Sequence, residues 1–271
     1  MEKLYESLQG VALVAATLFT TFWAKNYKVS RLKAFPIAVI SQFLGFVLVF
    51  LLTWIENGFT GFGAQNAVRA YVFNILFGIL EAKLFKIDFL TVLDFQAATI
   101  PLCYGIGHFA CLAENCCAGF YYQEGTAGYA IAQALTGTSQ LPNQIFESVS
   151  SLLIFAIIVI IAIKTKFKVT GYLFALYHVL FGGTRFLWEF LRDNEKIIVF
   201  GPMTGAKTLG GKEAVWGISS LAIWALAILA VGIIMFVVFK KYHNRNNESE
   251  NNNTNVVSDS VQPVEQSEQA T

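Results

Sequence analysis

An all-α fold that crosses a lipid bilayer about seven times is predicted for this chain of 271 residues, and three observations carry the prediction. Hydrophobic residues make up 55% of the chain and charged residues only 14%, against roughly 45–50% and about 25% in a soluble domain. The apolar residues are gathered into long blocks. The basic residues fall unevenly between the connections that join those blocks.

The blocks are 11–23, 34–54, 70–84, 97–113, 148–163, 171–191 and 215–239. A helix needs about 20 residues to span the hydrocarbon. The second and seventh blocks are long enough alone, and the first, third and fifth reach that length with their flanks. The first follows Glu2, Lys3 and Glu6, lacks an A-x-A-like exit and is trailed by Lys25 and Lys28. It reads as a retained helix and not as a cleaved signal peptide.

Orientation follows from the lysines and arginines. With seven spans, one set of alternating connections holds twelve, including Lys25, Lys28, Lys83, Lys86, Lys164 and Lys240. The opposite set holds six: Lys3, Arg69, Arg192, Lys196, Lys207 and Lys212. Basic residues in short loops mark the cytoplasmic side, so the N-terminus is expected outside and the C-terminus inside. The long connections, 117–146 and 193–213, then face out. The first carries Tyr121, Tyr122 and Tyr129 and reads as an ordered cap at the headgroup level. Residues 1–242 form one transmembrane unit. Residues 243–271 are rich in Asn, Ser, Gln and Glu and read as a disordered cytoplasmic tail. A net charge of +1 points to no nucleic acid. There is no nucleotide-binding glycine loop, and the broken-helix repeats of a small-solute transporter are not visible.

The sixth block is the informative one. His178, Gly182, Arg185, Glu189 and Arg192 are spaced by four, three, four and three, which lines them along one helical face. An intramembrane charge costs at least ~2.5–3.5 kcal/mol, so Arg185 must face protein or a watery cavity and have a partner. Glu189 at i+4 is in reach. Two arginines and one glutamate leave a surplus of one positive charge near the outer leaflet, and an arginine fork suits phosphate. Gly182 and Gly183 would let a headgroup or a helix approach closely. The alternative for this stripe is a structural ion pair that fixes helix packing. Asp94 reads as an N-cap, Glu147 as a residue favoured by the dipole of a first helical turn, and Arg69 as an exposed loop residue.

All four cysteines lie within fifteen residues, at Cys103, Cys111, Cys116 and Cys117. Buried thiols acting as small hydrophobes are the baseline. A bridge from Cys111 to Cys116 or Cys117 is the leading alternative, because that end faces outward. The spacing H-x2-C-x4-C-C from His108 matches no standard zinc motif, so neither metal nor cofactor is expected.

Arg185-Phe186-Leu187-Trp188-Glu189-Phe190-Leu191-Arg192 resembles the R-F-x-x-E-F-x-R of bacterial prolipoprotein diacylglyceryl transferases. Pro142, Gln144 and Glu147 match the Pro, Gln and Glu of that family's H-P-x-Q-L-Y-E. Asp94-Phe95 lies fourteen residues before His108, where the family has an essential Arg. Gly107 and Gly119 keep their places, while Cys111, Glu114 and Cys116 stand where the family has Asn, Asn and Glu. The family's His-Gly-Gly and early Trp-Tyr-Gly are absent. The resemblance covers residues 90–195 and implies a multi-pass enzyme of the bacterial plasma membrane. It would move diacylglyceryl from phosphatidylglycerol to the lipobox cysteine of a prolipoprotein, releasing glycerol phosphate. It also implies Arg185 and His108 as catalytic, with Glu189, Arg192, Gln144, Glu147, Gly107 and Gly119 binding substrate. A relative that keeps the scaffold and binds anionic lipid or lipoprotein without catalysis is the second expectation.

Overall fold

The computed structural model describes residues 2–56, 58–60, 67–114, 116–167, 170–208 and 213–259. It is mostly helical. In chain order the helices are α1 (Glu2–Trp23), α2 (Arg31–Val39), α3 (Gly45–Glu56), α4 (Ala67–Phe85), α5 (Phe89–Ala113), α6 (Ala127–Thr136), α7 (Asn143–Lys164), α8 (Tyr172–Glu189) and α9 (Ser220–Asp259). Two strands, β1 (Ile198–Pro202) and β2 (Val215–Ile218), pair as an antiparallel hairpin between α8 and α9.

Among the described residues, four segments are long and apolar enough to cross a membrane: Leu4–Tyr27, Phe89–Ala113, Asn143–Lys164 and Ser220–Lys241. The other three expected blocks depart for identifiable reasons. The 34–54 block is helical throughout but not uniformly α: Pro36 sits inside α2, and a π-helical turn, Ile40–Leu44, joins α2 to α3. The proline cannot donate to the Leu32 carbonyl one turn earlier, and the π turn follows it on the C-terminal side. The 171–191 block is largely α8, whose polar stripe lowers its hydropathy. The 70–84 block lies in α4, and the side chains of 67–75, Arg69 included, lie outside the described ones. The seventh block begins later than expected, because Val215–Ile218 is strand β2. Its Gly217 lies so close to the Ile198 carbonyl that a Cβ there would clash with it.

Helix α5 is the axis of the molecule, packed by α1, α4, α7 and α8. Small residues permit this close approach. Ala12 and Ala16 of α1 are fully buried, and Thr20 meets Thr99 of α5 hydroxyl to hydroxyl. A Cβ on Gly105 would stand 2.8 Å from Leu152 of α7. Helix α9 packs on α8 in the same way, with Gly182 against the Leu229 backbone and Gly232 against His178. The outer apolar faces, such as Leu153, Ile157 and Ile160 of α7, stay exposed, as lipid-facing residues do.

Asp94 does not start its own helix. Asp88 caps α5, accepting from the Thr91 N–H at 2.9 Å. Asp94 is fully buried in mid-helix and accepts from the Phe174 N–H in the first turn of α8. A carboxylate there satisfies donors that the helix itself leaves open, so α5 fixes where α8 begins.

The 117–146 connection packs at one end against the described residues of the connection after α8. Isolated bridges join Gly119 to Arg192, Tyr121 to Gln140 and Tyr122 to Ala206. Phe120, Leu141 and Met203 form a small core beneath them. Within this cap α6 is amphipathic, capped by Thr126 and ended by Gly137 at φ +68°. The basic turns gather at the opposite end. Lys33 Nζ donates to the Phe85 carbonyl, Trp23 and Tyr27 pack on Phe167, and His243 reaches the Thr170 carbonyl.

Candidate functional site

Where α5, α7 and α8 meet beneath the cap, a buried carboxylate gathers the polar side chains. Glu147, one turn into α7, is 2% exposed. It sits opposite α8 because Gln144 and Asn143 pin the start of α7. Gln144 Nε2 donates to the Cys116 carbonyl at 2.6 Å, and Asn143 Nδ2 donates to Glu147 Oε1 at 2.7 Å. From α5, the Tyr104 hydroxyl donates to Glu147 Oε2 at 2.6 Å. His108 Nε2 stands 3.1 Å from the same oxygen, and its ring stacks on Tyr104.

Helix α8 and the turn after it supply the cations. Arg185 is on the helix, but α8 ends at Glu189, and Arg192, expected on the same helical face, sits beyond it in the bridge to Gly119. Arg185 Nη1 pairs with Glu147 Oε2 and also reaches the Tyr104 hydroxyl at 3.2 Å, while Nη2 pairs with Glu189 at 2.5 Å. Arg192 Nε donates to Glu147 Oε1 at 2.9 Å, and its Nη1 is 3.7 Å from Glu189. Glu189 is fully buried. Its Oε2 accepts from Asn194 at 2.7 Å and from Ser219 at 3.1 Å. Lys196 closes the outer side, donating to the carbonyls of Glu189 and Arg192. Burial pushes its ammonium pKa down, against the pull of Glu189 and Asp193.

The expected charge balance changes with Glu147 in place. Two arginines face two glutamates, so the surplus read along the 178–192 stripe alone is cancelled, and Lys196 restores one positive charge at the rim. Such a network holds only when every member is paired, because an uncompensated buried charge costs roughly 3–5 kcal/mol.

The expected residues therefore divide. Arg185, Glu189, Arg192, Glu147 and His108 converge, with Gln144 holding the α7 end. Gly107 and Gly119 are points of close packing. The Gly107 carbonyl accepts from Gln9 of α1 at 3.2 Å, and a Cβ on Gly119 would stand 2.6 Å from the Leu191 carbonyl. His178 stays apart, its Nδ1 2.8 Å from the Phe174 carbonyl. Tyr104, Asn143, Asn194, Lys196 and Ser219 escaped sequence reading. Tyr104 was the most findable, lying one turn before His108 on the same face.

The cysteines are all free thiols. Cys103 is separate, but His108, Cys111 and Cys117 bring their ligand atoms within 4.8 Å of one another. Chain spacing alone does not reveal this, because the turn after α5 folds back.

No curated protein matches the chain. The family model for prolipoprotein diacylglyceryl transferase matches residues 29–238, a span wider than the motif-bearing segment and including α2 to α8 and the apolar part of α9. This chain belongs to the prolipoprotein diacylglyceryl transferase family.

Proposed function

We propose that this protein transfers a diacylglyceryl group from phosphatidylglycerol to the thiol of a prolipoprotein lipobox cysteine. The reaction would take place at the outer leaflet of a bacterial plasma membrane. The observation that carries this reading is the buried cluster of Arg185 and Arg192 with Glu147 and Glu189, in a chain of this family. The reaction is alkyl transfer at a glycerol carbon. Its transition state gathers negative charge on the departing phosphate, and preorganised cationic donors stabilise such charge best. Arg185 is held rigidly from two sides by carboxylates. Arg192 contributes Nε to Glu147 and holds Nη1 only loosely, 3.7 Å from Glu189, so its terminal nitrogens can turn to the phosphate, and Lys196 adds charge at the entrance. Glu147, Glu189 and Gln144 orient the cations, and Gly107 and Gly119 bring the surrounding backbones together. His108 is assigned to the acceptor side, where the thiol must become thiolate to attack.

The seven-span topology, N-terminus out and C-terminus in, belongs to the same proposal. So does the division into a transferase unit, 1–242, and a cytoplasmic tail, 243–271, into which α9 runs as far as Asp259. The segregation of basic turns to the end opposite the cap supports it.

The test is transfer of labelled diacylglyceryl from phosphatidylglycerol to a lipobox peptide in detergent. Wild type should form thioether product. Arg185→Lys keeps the charge but loses the fork, and should remain folded while losing about 10²–10³ in rate. A second reading, an inactive relative that binds anionic lipid, is favoured by His108 in the family's arginine place. Absence of product in wild type, with unaltered lipid binding in Arg185→Lys, would support that reading and defeat the first.

A further inference from the structure

We infer that His108, Cys111 and Cys117 form a three-ligand zinc site whose open fourth position takes the acceptor cysteine as thiolate. This rests on the transferase reading and says how its nucleophile is made.

The ligands converge for local reasons. His108 and Cys111 are three apart on the last turns of α5, and so share a face. The chain then doubles back: the Cys116 N–H bonds to the Cys111 carbonyl at 3.1 Å, and Cys117 takes a left-handed φ of +61°. Cys111 Sγ lies 3.9 Å from His108 Nδ1, and all three donor atoms lie within 4.8 Å. Zinc holds sulfur at about 2.3 Å and nitrogen at about 2.0 Å in a tetrahedron, so adjacent donors stand roughly 3.5–3.8 Å apart. The His108–Cys111 edge is already near that length, and a contraction of about an ångström closes the rest.

The surroundings match a metal in three respects. His108 turns Nδ1 toward Cys111 and Nε2 toward Glu147, at 3.1 Å. A carboxylate behind the second imidazole nitrogen is the usual support of a metal-bound histidine. That Nε2 is buried and not aligned for a hydrogen bond, and binding at Nδ1 would hold the ring so that Nε2–H faces the carboxylate. Finally, one histidine and two thiolates suit zinc, and three protein ligands with one open position characterise catalytic zinc. Cys116 is exposed, and its thiol contacts those of Cys111 and Cys117 without joining the set around His108, so the open position holds only while Cys116 stays off the metal.

Glu147 then joins two functions, backing His108 on one side and holding Arg185 and Arg192 on the other. The acceptor cysteine binds the metal and releases its proton to solvent, because a coordinated thiol is deprotonated. Zinc with two protein thiolates is neutral, so the third thiolate keeps its charge and its nucleophilicity. Its sulfur attacks the glycerol carbon that carries the phosphate. A carbon–sulfur bond forms as the carbon–oxygen bond breaks, and the electron pair leaves on the phosphate oxygen of glycerol phosphate, beside the arginines. The neutral thioether is a weaker ligand and departs. Nothing is oxidised or reduced.

The experiment uses full-length reduced protein in detergent, stripped by chelator and titrated with Co²⁺ alone. One cobalt per chain should appear with the visible bands of a tetrahedral thiolate site, and Zn²⁺ should displace it. A lipobox peptide with cysteine should shift those bands, and the serine peptide should not. Cys111→Ser and Cys117→Ser, checked as monodisperse, should weaken cobalt binding by more than about 100-fold, beyond the 10–100-fold typical of losing a second-shell partner. Cys116→Ser and Cys103→Ser should bind as wild type. Absence of thiolate bands overturns the inference, as does a Cys111–Cys117 disulfide in protein taken directly from membranes. So does a site that needs Cys116 and ignores the peptide. Transfer that proceeds unchanged in metal-free protein sinks the zinc site and spares the transferase. Cobalt bands that respond to the peptide, without any lipid transfer, sink the transferase and spare the site.

Discussion

A carboxylate at 2% exposure between two guanidinium groups is tolerable only while both partners remain. Glu147→Gln keeps the shape and the Asn143 contact but leaves Arg185 and Arg192 short of one negative charge. It should destabilise the protein by roughly 3–5 kcal/mol, read as a lower Tm in detergent, with lipid transfer lost. His108→Arg recreates the family's residue. The new cation would compete with Arg185 for Glu147 and could not serve an acceptor thiol, so turnover should fall. A rise in turnover would instead make His108 a weakened phosphate anchor, and the assay of labelled lipid transfer distinguishes the two.

Helix α8 carries Arg185 and leads into the turn that bears Arg192, and it is held at two places that do no chemistry. Asp94 secures its first turn from α5. Asp94→Ala should cost about 0.5–2 kcal/mol, the usual range for a lost cap, and lower transfer modestly without changing lipid selectivity. Further along, Gly182 lies against α9, where a Cβ would stand 2.6 Å from the Leu229 backbone nitrogen, while Gly183 has open space. Gly182→Leu should therefore separate α8 from α9 and give protein that aggregates on size exclusion. Gly183→Ala should elute and melt as wild type. Equal behaviour of the two variants would remove the packing argument.

The whole molecule is polarised along its long axis, with the cap and the Glu147 cluster at one end and the basic turns at the other. Reporters fused after Lys168 and Lys241 should read cytoplasmic, and one inserted within 125–140 should read external. A cytoplasmic reading for the last would place the cluster on the inner leaflet and remove access to an exported lipoprotein. Gly119, Gln140 and Arg192 tie the loops of the cap together beside the cluster.

Membrane residence, the balance of basic loops and the polar stripe of α8 are legible in the sequence by itself, because each depends on one segment's own periodicity or composition. The R-F-x-x-E-F-x-R stretch likewise names the family from one short segment. Partnership is different, since it depends on which helices touch. Only the tertiary structure decided that Glu147 of α7 neutralises Arg185 of α8 and Arg192 beyond its end, that Asp94 caps a helix eighty residues away, and that 34–54 contains a π turn after Pro36. It also brought Cys117 back over the end of α5 to His108 and Cys111, where the H-x2-C-x4-C-C spacing gave no metal signal. A turn of a few residues sets those distances through its backbone angles, and residue spacing alone does not specify them.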